Sequence, residues 1–487
     1  MIHLFTTASR YLCILLTVLY TYCNFRYLSL SDEEAAEQLA AYQKPILLLF
    51  HFLLSLVLIL HSMRPETLGF YFAQLLFLLL FPWLFRRLYR NVNPLLLNNM
   101  SLLLAVGLVM LERLSLDRAV KQYVIVLAAG LLSLPVPYLI DRIWDFARFR
   151  TVLAAFGIAL LSSVLLIGVR SYGAKMSISL GGFSFQAVEL VKLSFVFSLA
   201  GFLYRAEALR DFLVSSLVAA LHILLLVLCK DLGSALLLFL CYLVMLYIAT
   251  RRTAVLTAGL TAAGFSGVLS YFLFSHVRTR VFAWRNPWAD INNRGYQITQ
   301  SLFAIGTGGF FGLGLYQGLP NKIPIVEKDF IISAVSEELG AVVAICLTLI
   351  CLGCFLQMMM IATYMEFGFY KLVAVGLAIQ YVMQVFLTIG GAVKFIPSTG
   401  VTLPFVSYGG SSLFSSFLLF AVIQALYIVQ GNEDEAELLT ETGEAAEDTE
   451  YGEQADEERT EGAQEHGAYG AARHLERGRS RGREGAR

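Results

Sequence analysis

The stretch GSALLLFLCYLVMLYIAT, residues 233–250, contains no charged side chain and is long enough to cross the apolar interior of a bilayer as a helix. Segments of this kind recur along most of the 487-residue chain, of which 57% is hydrophobic and 15% is charged. A soluble globular protein could not hide so much apolar surface from water. The sequence therefore predicts an all-α polytopic membrane protein.

About thirteen segments have the length and apolarity of a membrane-spanning helix. The first three, followed by a basic stretch at 86–90, make up an N-terminal part over residues 1–94. The later ten make up a membrane domain over residues 95–430. The approximate spans are 11–28, 45–62, 69–85, 98–113, 121–140, 152–170, 187–204, 212–229, 233–250, 254–274, 330–358, 372–390 and 410–429.

Arginine-rich short loops alternate along the chain and are expected in the cytoplasm. This pattern places the loops at 171–186, 275–328 and 391–408 together on the outer face, with the N-terminus outside. One cluster, formed by Arg113, Arg118 and Lys121, lies on the wrong side of this scheme. Loop 275–328 is long enough to contain a partly folded element, and long loops usually carry function.

The remaining features exclude several kinds of site. All seven cysteines lie in or at the ends of apolar segments, so we expect small buried side chains and neither disulfides nor a zinc or redox site. A formal net charge of +0 gives no indication of a nucleic-acid partner. Residues 431–487 are rich in Glu and Gly and poor in apolar residues, which predicts a disordered cytoplasmic tail.

Four segments carry a pattern typical of one family and follow one another in the family's order. They are FQAVELVK (185–192), KDLGSALL (230–237), NPWADINNRGYQITQSLFAIGTGGFFGLGLYQG (286–318) with KDFIISAVSEELG (328–340), and FIPSTGVTLPFVSYGGSS (395–412). Over roughly residues 95–430 the chain thereby resembles the SEDS family, to which FtsW, RodA and SpoVE belong. Lys230 and Ala187 depart from the family, which usually has proline at both positions.

The resemblance implies ten core helices around a membrane cavity, here with about three extra N-terminal helices. It implies a peptidoglycan glycosyltransferase that polymerises lipid II, the undecaprenyl-diphosphate disaccharide precursor, at the outer face of the cytoplasmic membrane, for elongation, division or sporulation. The implied partners are a class B penicillin-binding protein and membrane lipid, with no nucleic acid. The family's catalytic carboxylate corresponds to Asp329, and the family's lysine in the first segment to Lys192.

Such a transfer needs a base on the acceptor hydroxyl and cations near the departing diphosphate. Asp329 stands between the long loop and the next span, where it could be that base or could cap the helix. On a helix, Ser333 and Glu337 would share its face and form a polar stripe toward substrate. Structural pairing is the favoured interpretation for Glu337 and Glu338, which lie deeper.

Charged residues elsewhere complete the predicted substrate site. Glu189 and Lys192 are spaced i, i+3 in an apolar span, either as an internal salt bridge or as a contact to the diphosphate. Arg278 and Arg280 are candidates for phosphate binding, Arg280 being preferred, although loop charges are often simply solvated. Asp231 opens a span in a Lys-Asp-Leu-Gly turn, where helix capping is favoured over catalysis.

The last segment has prolines at 397 and 404, and irregular backbone at membrane depth is tolerated only against protein or a watery cavity. We therefore expect it to line the substrate site, with Ser407 and Gly409 as binding residues. Catalysis by Ser407 is not expected, because no histidine is near in sequence. A divalent cation, Mg²⁺ or Mn²⁺, could neutralise the leaving diphosphate, but no cluster of ligands in the sequence establishes one.

Two other functions share some of these features. A flippase that moves lipid II across the membrane would also need a cavity with buried charges. A scaffold that only recruits a penicillin-binding protein would need no catalytic group. A carboxylate near the outer surface, as expected for Asp329, favours an enzyme over both.

Overall fold

The computed structural model describes residues 2–143, 145–171, 174–180, 183–365 and 368–442. It begins with three long helices that precede the resemblance: α1 (Ile2–Leu28), α2 (Glu33–Ser62) and α3 (Pro65–Leu88). The next part runs through α4 (Pro94–Leu114), α5 (Leu116–Ser133), α6 (Val136–Arg142), α7 (Arg150–Ile167), α8 (Ala187–Leu203), α9 (Leu209–Leu228), α10 (Leu232–Thr250) and α11 (Thr253–Leu273). The last part contains α12 (Ser275–Arg285), α13 (Tyr296–Gly308), α14 (Ile331–Glu338), α15 (Ala341–Tyr364), α16 (Gly368–Ala392) and α17 (Gly410–Thr442).

The helical membrane fold is confirmed. Within the described residues, 11 helical segments are long and apolar enough to cross a membrane, and α1 and the 17-residue α8 account for the other two predicted spans. The loop near 171–186, which is predicted to lie on the outer face, contains a small antiparallel sheet that the sequence did not predict. Its strands are β1 (Val169–Ser171), β2 (Ala174–Leu180) and β3 (Phe183–Phe185), in the order β1-β2-β3.

The predicted span 330–358 is wrong as a single helix. It divides into α14 and α15 at Gly340, whose φ of +98° is open to glycine but strained for other residues. A Cβ at Gly340 would lie 2.5 Å from the backbone nitrogen of Gly312, so the break also allows two backbones to touch. The short α14 thereby becomes part of the structure that leads out of loop 275–328, which itself folds into α12, α13 and short 3₁₀ turns.

The N-terminal helices pack on the core through polar contacts as well as apolar ones. Every residue in the apolar window of α4 is buried, and Asn99 of α4 donates to the Asn24 side chain of α1 at 2.7 Å. At the far end of α4, Arg10 of α1 donates to the carbonyl of Gly312 at 2.7 Å. Residues Met1–Val429 accordingly form one compact unit.

The basic cluster of Arg113, Arg118 and Lys121, which does not follow the alternation of arginine-rich loops, is paired with acidic residues. Arg113 Nη2 lies 2.9 Å from Oε1 of Glu338, and Arg118 forms an ion pair with Glu327. The Arg113 guanidinium also stacks 4.2 Å from the ring centre of Tyr316, in the long loop. Lys121 lies 2.9 Å from the Asp117 carboxylate, so all three cationic groups have structural partners beside the segment predicted to lie outside.

The tail begins later than the sequence predicts. Helix α17 continues to Thr442, so residues 431–442, which we expected to be disordered, are helical. The rest of the predicted tail, 443–487, lies outside the described residues. The expectation that the cysteines are small buried side chains is confirmed, since all seven are buried and none is in a disulfide.

Candidate active site

A cavity of about 280 Å³ lies where α8, α10 and α12 meet the segments that precede α14 and α17. Its walls combine apolar side chains with an unusual density of charge. The charged lining residues are Glu189, Lys192, Asp231, Arg280, Arg294, Lys328 and Asp329. The cavity thus brings together residues from α12 and from all four family-like segments. The fourth segment contributes Ser398, Gly400 and Thr402.

Asp329 lies in the cavity wall two residues before α14 begins and is partly exposed. The residue at the helix cap is Phe330, and no side chain caps this helix, so the alternative that Asp329 is a helix cap is wrong. Within the described residues, no donor hydrogen-bonds to the Asp329 carboxylate. Burial raises the pKa of Asp329 to about 6, and the nearby cations Arg280 and Lys328 oppose that rise.

The polar stripe predicted along one helix face is also wrong, because Asp329 precedes the helix. Ser333 is buried and its Oγ lies 2.7 Å from that of Ser301. Glu337 Oε1 accepts a hydrogen bond of 2.9 Å from the backbone N–H of Leu319. Neither lines the cavity. The predicted structural pairing is confirmed for Glu338, which pairs with Arg113, whereas the partner of Glu337 is the backbone of Leu319.

Arg280 is hydrogen-bonded to the segment before α17, and Gly400 of that segment also lies near Asp329. Its Nη1 donates to the carbonyl of Thr399 at 2.9 Å, next to Gly400, whose φ is +79°. A Cβ at Gly400 would come within 3.5 Å of Nη2 of Arg280 and 3.9 Å of Oδ2 of Asp329. The guanidinium therefore faces the cavity beside the carboxylate without forming an ion pair with it.

Arg278 does not reach the cavity. It is exposed, and its Nη1 donates to the carbonyl of Phe272 at 2.9 Å. Because both arginines lie on α12, two positions apart, their side chains leave opposite faces of the helix. The preference for Arg280 over Arg278 therefore agrees with the geometry, and the place of Arg278 among the binding residues is corrected.

Glu189 and Lys192 form the internal salt bridge that was one of the two predicted alternatives, and both side chains also line the cavity. Lys192 Nζ lies 2.6 Å from Oε2 of Glu189 and donates to Oε1 of Gln384 at 2.8 Å. Both members of this ion pair are buried yet line the cavity. Gln384 in turn donates to the carbonyl of Thr402 at 2.9 Å. The lysine is thus fixed in position at the cavity wall.

Asp231 is a helix cap, as the sequence suggested, and also part of the cavity. Its Oδ1 accepts from the backbone N–H of Ser234 at 3.1 Å. Burial raises the pKa of Asp231, with a smaller rise from the Glu189 charge and an opposing effect of Arg280. Its position in the cavity was not predicted, although the resemblance of KDLGSALL could have indicated it. Lys328, which adjoins Asp329, was missed in the same way.

Ser407 and Gly409 lie behind the cavity wall rather than in it. Ser407 Oγ donates to the carbonyl of Lys328 at 2.5 Å and accepts from the Leu403 N–H at 2.9 Å. The Gly409 N–H donates to Oε1 of Gln122 at 3.3 Å. Their predicted role as binding residues is corrected to one of support, because Ser407 fixes the backbone just before Asp329. The prediction that this segment lines the site holds for its first half, Ile396 to Thr402.

A metal centre made by protein ligands alone is not present in the part of the chain that the structure describes, where no three His, Cys, Asp or Glu side chains come together. Two carboxylates, Glu189 and Asp231, do line the same cavity. Magnesium is commonly held by one or two carboxylates together with phosphate oxygens. These side chains could therefore share a cation with a bound diphosphate.

Comparison with known sequences gives the family. The family model for FtsW, RodA and SpoVE, described as cell cycle protein, matches residues 93–430. Peptidoglycan glycosyltransferase RodA of Mycobacterium tuberculosis is 34% identical over 370 aligned residues, and the match covers 69% of this chain and 78% of that protein. A probable peptidoglycan glycosyltransferase FtsW of Saccharophagus degradans is 33% identical over 363 aligned residues, and the match covers 69% of this chain and 92% of the relative.

Solved structures share the fold. A chain of a peptidoglycan synthase complex, studied for the coordination of polymerization and crosslinking, has a TM-score of 0.61 at 24% identity over 70% of this chain and 99% of its own. The rod shape determining protein RodA of Thermus thermophilus has a TM-score of 0.51 at 23% identity over 69% and 97%. The chain therefore belongs to the SEDS family of FtsW, RodA and SpoVE, and is a multi-pass protein of the cytoplasmic membrane.

Proposed function

We propose that this chain is a peptidoglycan glycosyltransferase that polymerises lipid II at the outer face of the cytoplasmic membrane. The relatives that cover most of it carry that activity in their names. The observation that carries the proposal is the Asp329 carboxylate, which lies beside Arg280 in a charged cavity and has no hydrogen-bond donor among the described residues. A carboxylate with a pKa of about 6 is ionised at neutral pH and still basic enough to take a proton.

In the proposed step, the 4-hydroxyl of the acceptor sugar attacks the anomeric carbon of the donor. The new oxygen–carbon bond forms as the bond from that carbon to the diphosphate breaks, and Asp329 takes the hydroxyl proton. Undecaprenyl diphosphate leaves with the bonding electrons. Attack opposite an α-linked leaving group inverts the anomeric centre and gives a β-linked strand.

The departing diphosphate needs positive charge in a site of low polarity. We assign this role to Arg280, Lys192 and Lys328, which line the cavity on different sides. A guanidinium suits two phosphate oxygens at once, whereas Lys192 acts as a point charge held by Glu189 and Gln384. A Mg²⁺ or Mn²⁺ ion shared with Glu189 and Asp231 would add charge and remains part of the proposal.

A class B penicillin-binding protein is the proposed partner, because a polymerised strand must be crosslinked. The support is the fold shared with a chain of a complex that coordinates polymerization and crosslinking. Membrane lipid is the other proposed partner. We propose no role in binding nucleic acid.

The test uses the purified full chain, with and without a class B partner, incubated with lipid II in detergent micelles. Glycan products are resolved on a gel, alongside Asp329→Ala and the control Asp117→Ala, which alters an exposed ion pair. Polymer from the native chain and the control, but not from Asp329→Ala, supports the enzyme. Translocation of labelled lipid II in proteoliposomes without polymer would instead support the flippase, and absence of both would leave the scaffold.

A further inference from the structure

A second cavity, of about 410 Å³, lies where α2 begins, α3 ends and α4 begins. It is lined by Glu34, Glu37, Gln38, Ala41, Arg86, Arg90, Val92 and Pro94. The opposite end of α4 carries Arg113, which contacts Glu338 near the proposed active site. Since a 21-residue helix is about 30 Å long, this cavity is distinct from the one that contains Asp329.

Arg86 lies in this cavity with unsatisfied donors. Its Nε and Nη2 are buried and have no hydrogen-bond partner. Among the described residues, no carboxylate oxygen lies within 4.0 Å of a guanidinium nitrogen of Arg86. A buried charged donor without a partner is destabilising, so a ligand that accepts from this guanidinium would be stabilised here.

The cavity contains charges of both signs on separate elements. Arg86 and Arg90 come from the end of α3 and the residues after it, and Glu34 and Glu37 come from the first turns of α2. The two glutamates are three positions apart and therefore share one face of α2. Ala41, Val92 and Pro94 add apolar surface, as expected where a site adjoins the bilayer.

We propose that this cavity binds the head group of a zwitterionic phospholipid that carries a primary ammonium, such as phosphatidylethanolamine. The phosphate accepts hydrogen bonds from Arg86 and Arg90, and the ammonium donates to Glu34 and Glu37. An anionic head group would bring no cation to the two carboxylates, and a choline head group has no N–H to donate to them. The bound lipid would join α2 and α3 to the start of the family domain.

The inference is tested on the purified full chain by native mass spectrometry. The chain, stripped of lipid, is titrated with phosphatidylethanolamine, phosphatidylglycerol or phosphatidylcholine of equal chain length. We expect phosphatidylethanolamine to bind about tenfold more tightly than either, a factor that corresponds to about 1.4 kcal/mol. Equal affinity for all three lipids would overturn the proposal.

Separate titrations with free phosphoethanolamine and with inorganic phosphate identify the source of the head-group chemistry. The proposal predicts that neither matches the affinity of the lipid. If phosphoethanolamine binds as tightly as the lipid, the site takes a soluble zwitterion, and if phosphate does, it takes an anion. Either result would contradict lipid binding.

Variants locate the site. Arg86→Ala should lose most of the preference, whereas Arg87→Ala, an exposed neighbour outside the cavity, should keep it. Glu37→Gln should weaken phosphatidylethanolamine more than phosphatidylglycerol, and it tests the site even if Arg86→Ala unfolds. Equal losses in Arg86→Ala and Arg87→Ala would contradict the assignment. These measurements do not depend on glycan synthesis, so failure of this proposal can be distinguished from failure of the proposed enzyme activity.

Discussion

The guanidinium of Arg280 and the carboxylate of Asp329 converge on Gly400, where a Cβ would lie 3.5 Å from Nη2 of the first and 3.9 Å from Oδ2 of the second. Gly400 has a φ of +79°, which strains any residue with a side chain. One residue without a side chain therefore keeps the proposed base and the proposed diphosphate ligand on one open surface.

Gly400→Ala should reduce glycan synthesis by about tenfold or more, because small misplacements of reacting groups are costly. The measurement is the initial rate of lipid II consumption by the purified variant. Gly306→Ala is a suitable control, since a Cβ there meets nothing within 4 Å. Equal rates for the two variants would contradict the account of Gly400.

The pH dependence of the rate should report the ionisation of Asp329. Burial raises its pKa to about 6, and the base is active only when ionised. The rate kcat/KM should therefore fall as the pH decreases through about 6. Arg280→Gln removes a cation that lowers this pKa, so it should move the acidic limb to higher pH. If the acidic limb of the pH profile does not move in Arg280→Gln, the limb reports a group other than Asp329.

The structural role of the Glu189–Lys192 ion pair can be separated from a role of Lys192 in binding substrate. Lys192→Met alone leaves a buried carboxylate without its cation, which is destabilising. The double variant Glu189→Gln/Lys192→Met removes both charges and should recover thermal stability. If Lys192 contacts the diphosphate, the double variant should still have a raised KM for lipid II. Recovery of full activity in the double variant would leave only the structural role.

Arg113 should matter for stability because it neutralises a buried acid. Its partner Glu338 has a fully buried side chain, so Arg113→Ala should lower the free energy of unfolding by about 3–5 kcal/mol. Lys121→Ala, which alters an exposed ion pair, should change it far less, because an exposed ion pair contributes little to stability. Thermal unfolding in detergent measures both. Similar shifts for the two variants would contradict this view.

The helices could be predicted because an apolar run of sufficient length has few alternatives in a membrane. The break at Gly340 could not, since its cause is contact with Gly312, in a different part of the chain. Periodicity also placed Asp329 on one helix with Ser333 and Glu337, but α14 begins only at Ile331, so the predicted stripe was wrong. A helical interpretation of residues 275–285 would have separated Arg278 from Arg280, because residues two apart face opposite ways.

The candidate site was predictable to the extent that the recognisable segments carry its charges. Asp329, Lys192, Glu189 and Arg280 all line one cavity, whereas Ser407 supports the backbone of Lys328 from behind. That distinction depends on which way a loop residue points, which the sequence pattern does not contain. Asp231 was treated only as a cap because capping explains an acidic residue before a helix without reference to tertiary structure.

The most direct test of the central claim is the rate of glycosidic bond formation in Asp329→Asn, which keeps the size of the side chain and removes the base. The account predicts a loss of about 100-fold or more, with lipid II binding and thermal stability retained. Stability should be retained because the raised pKa means that ionised Asp329 destabilises the folded chain above about pH 6. A variant that forms polymer at the native rate would contradict the account.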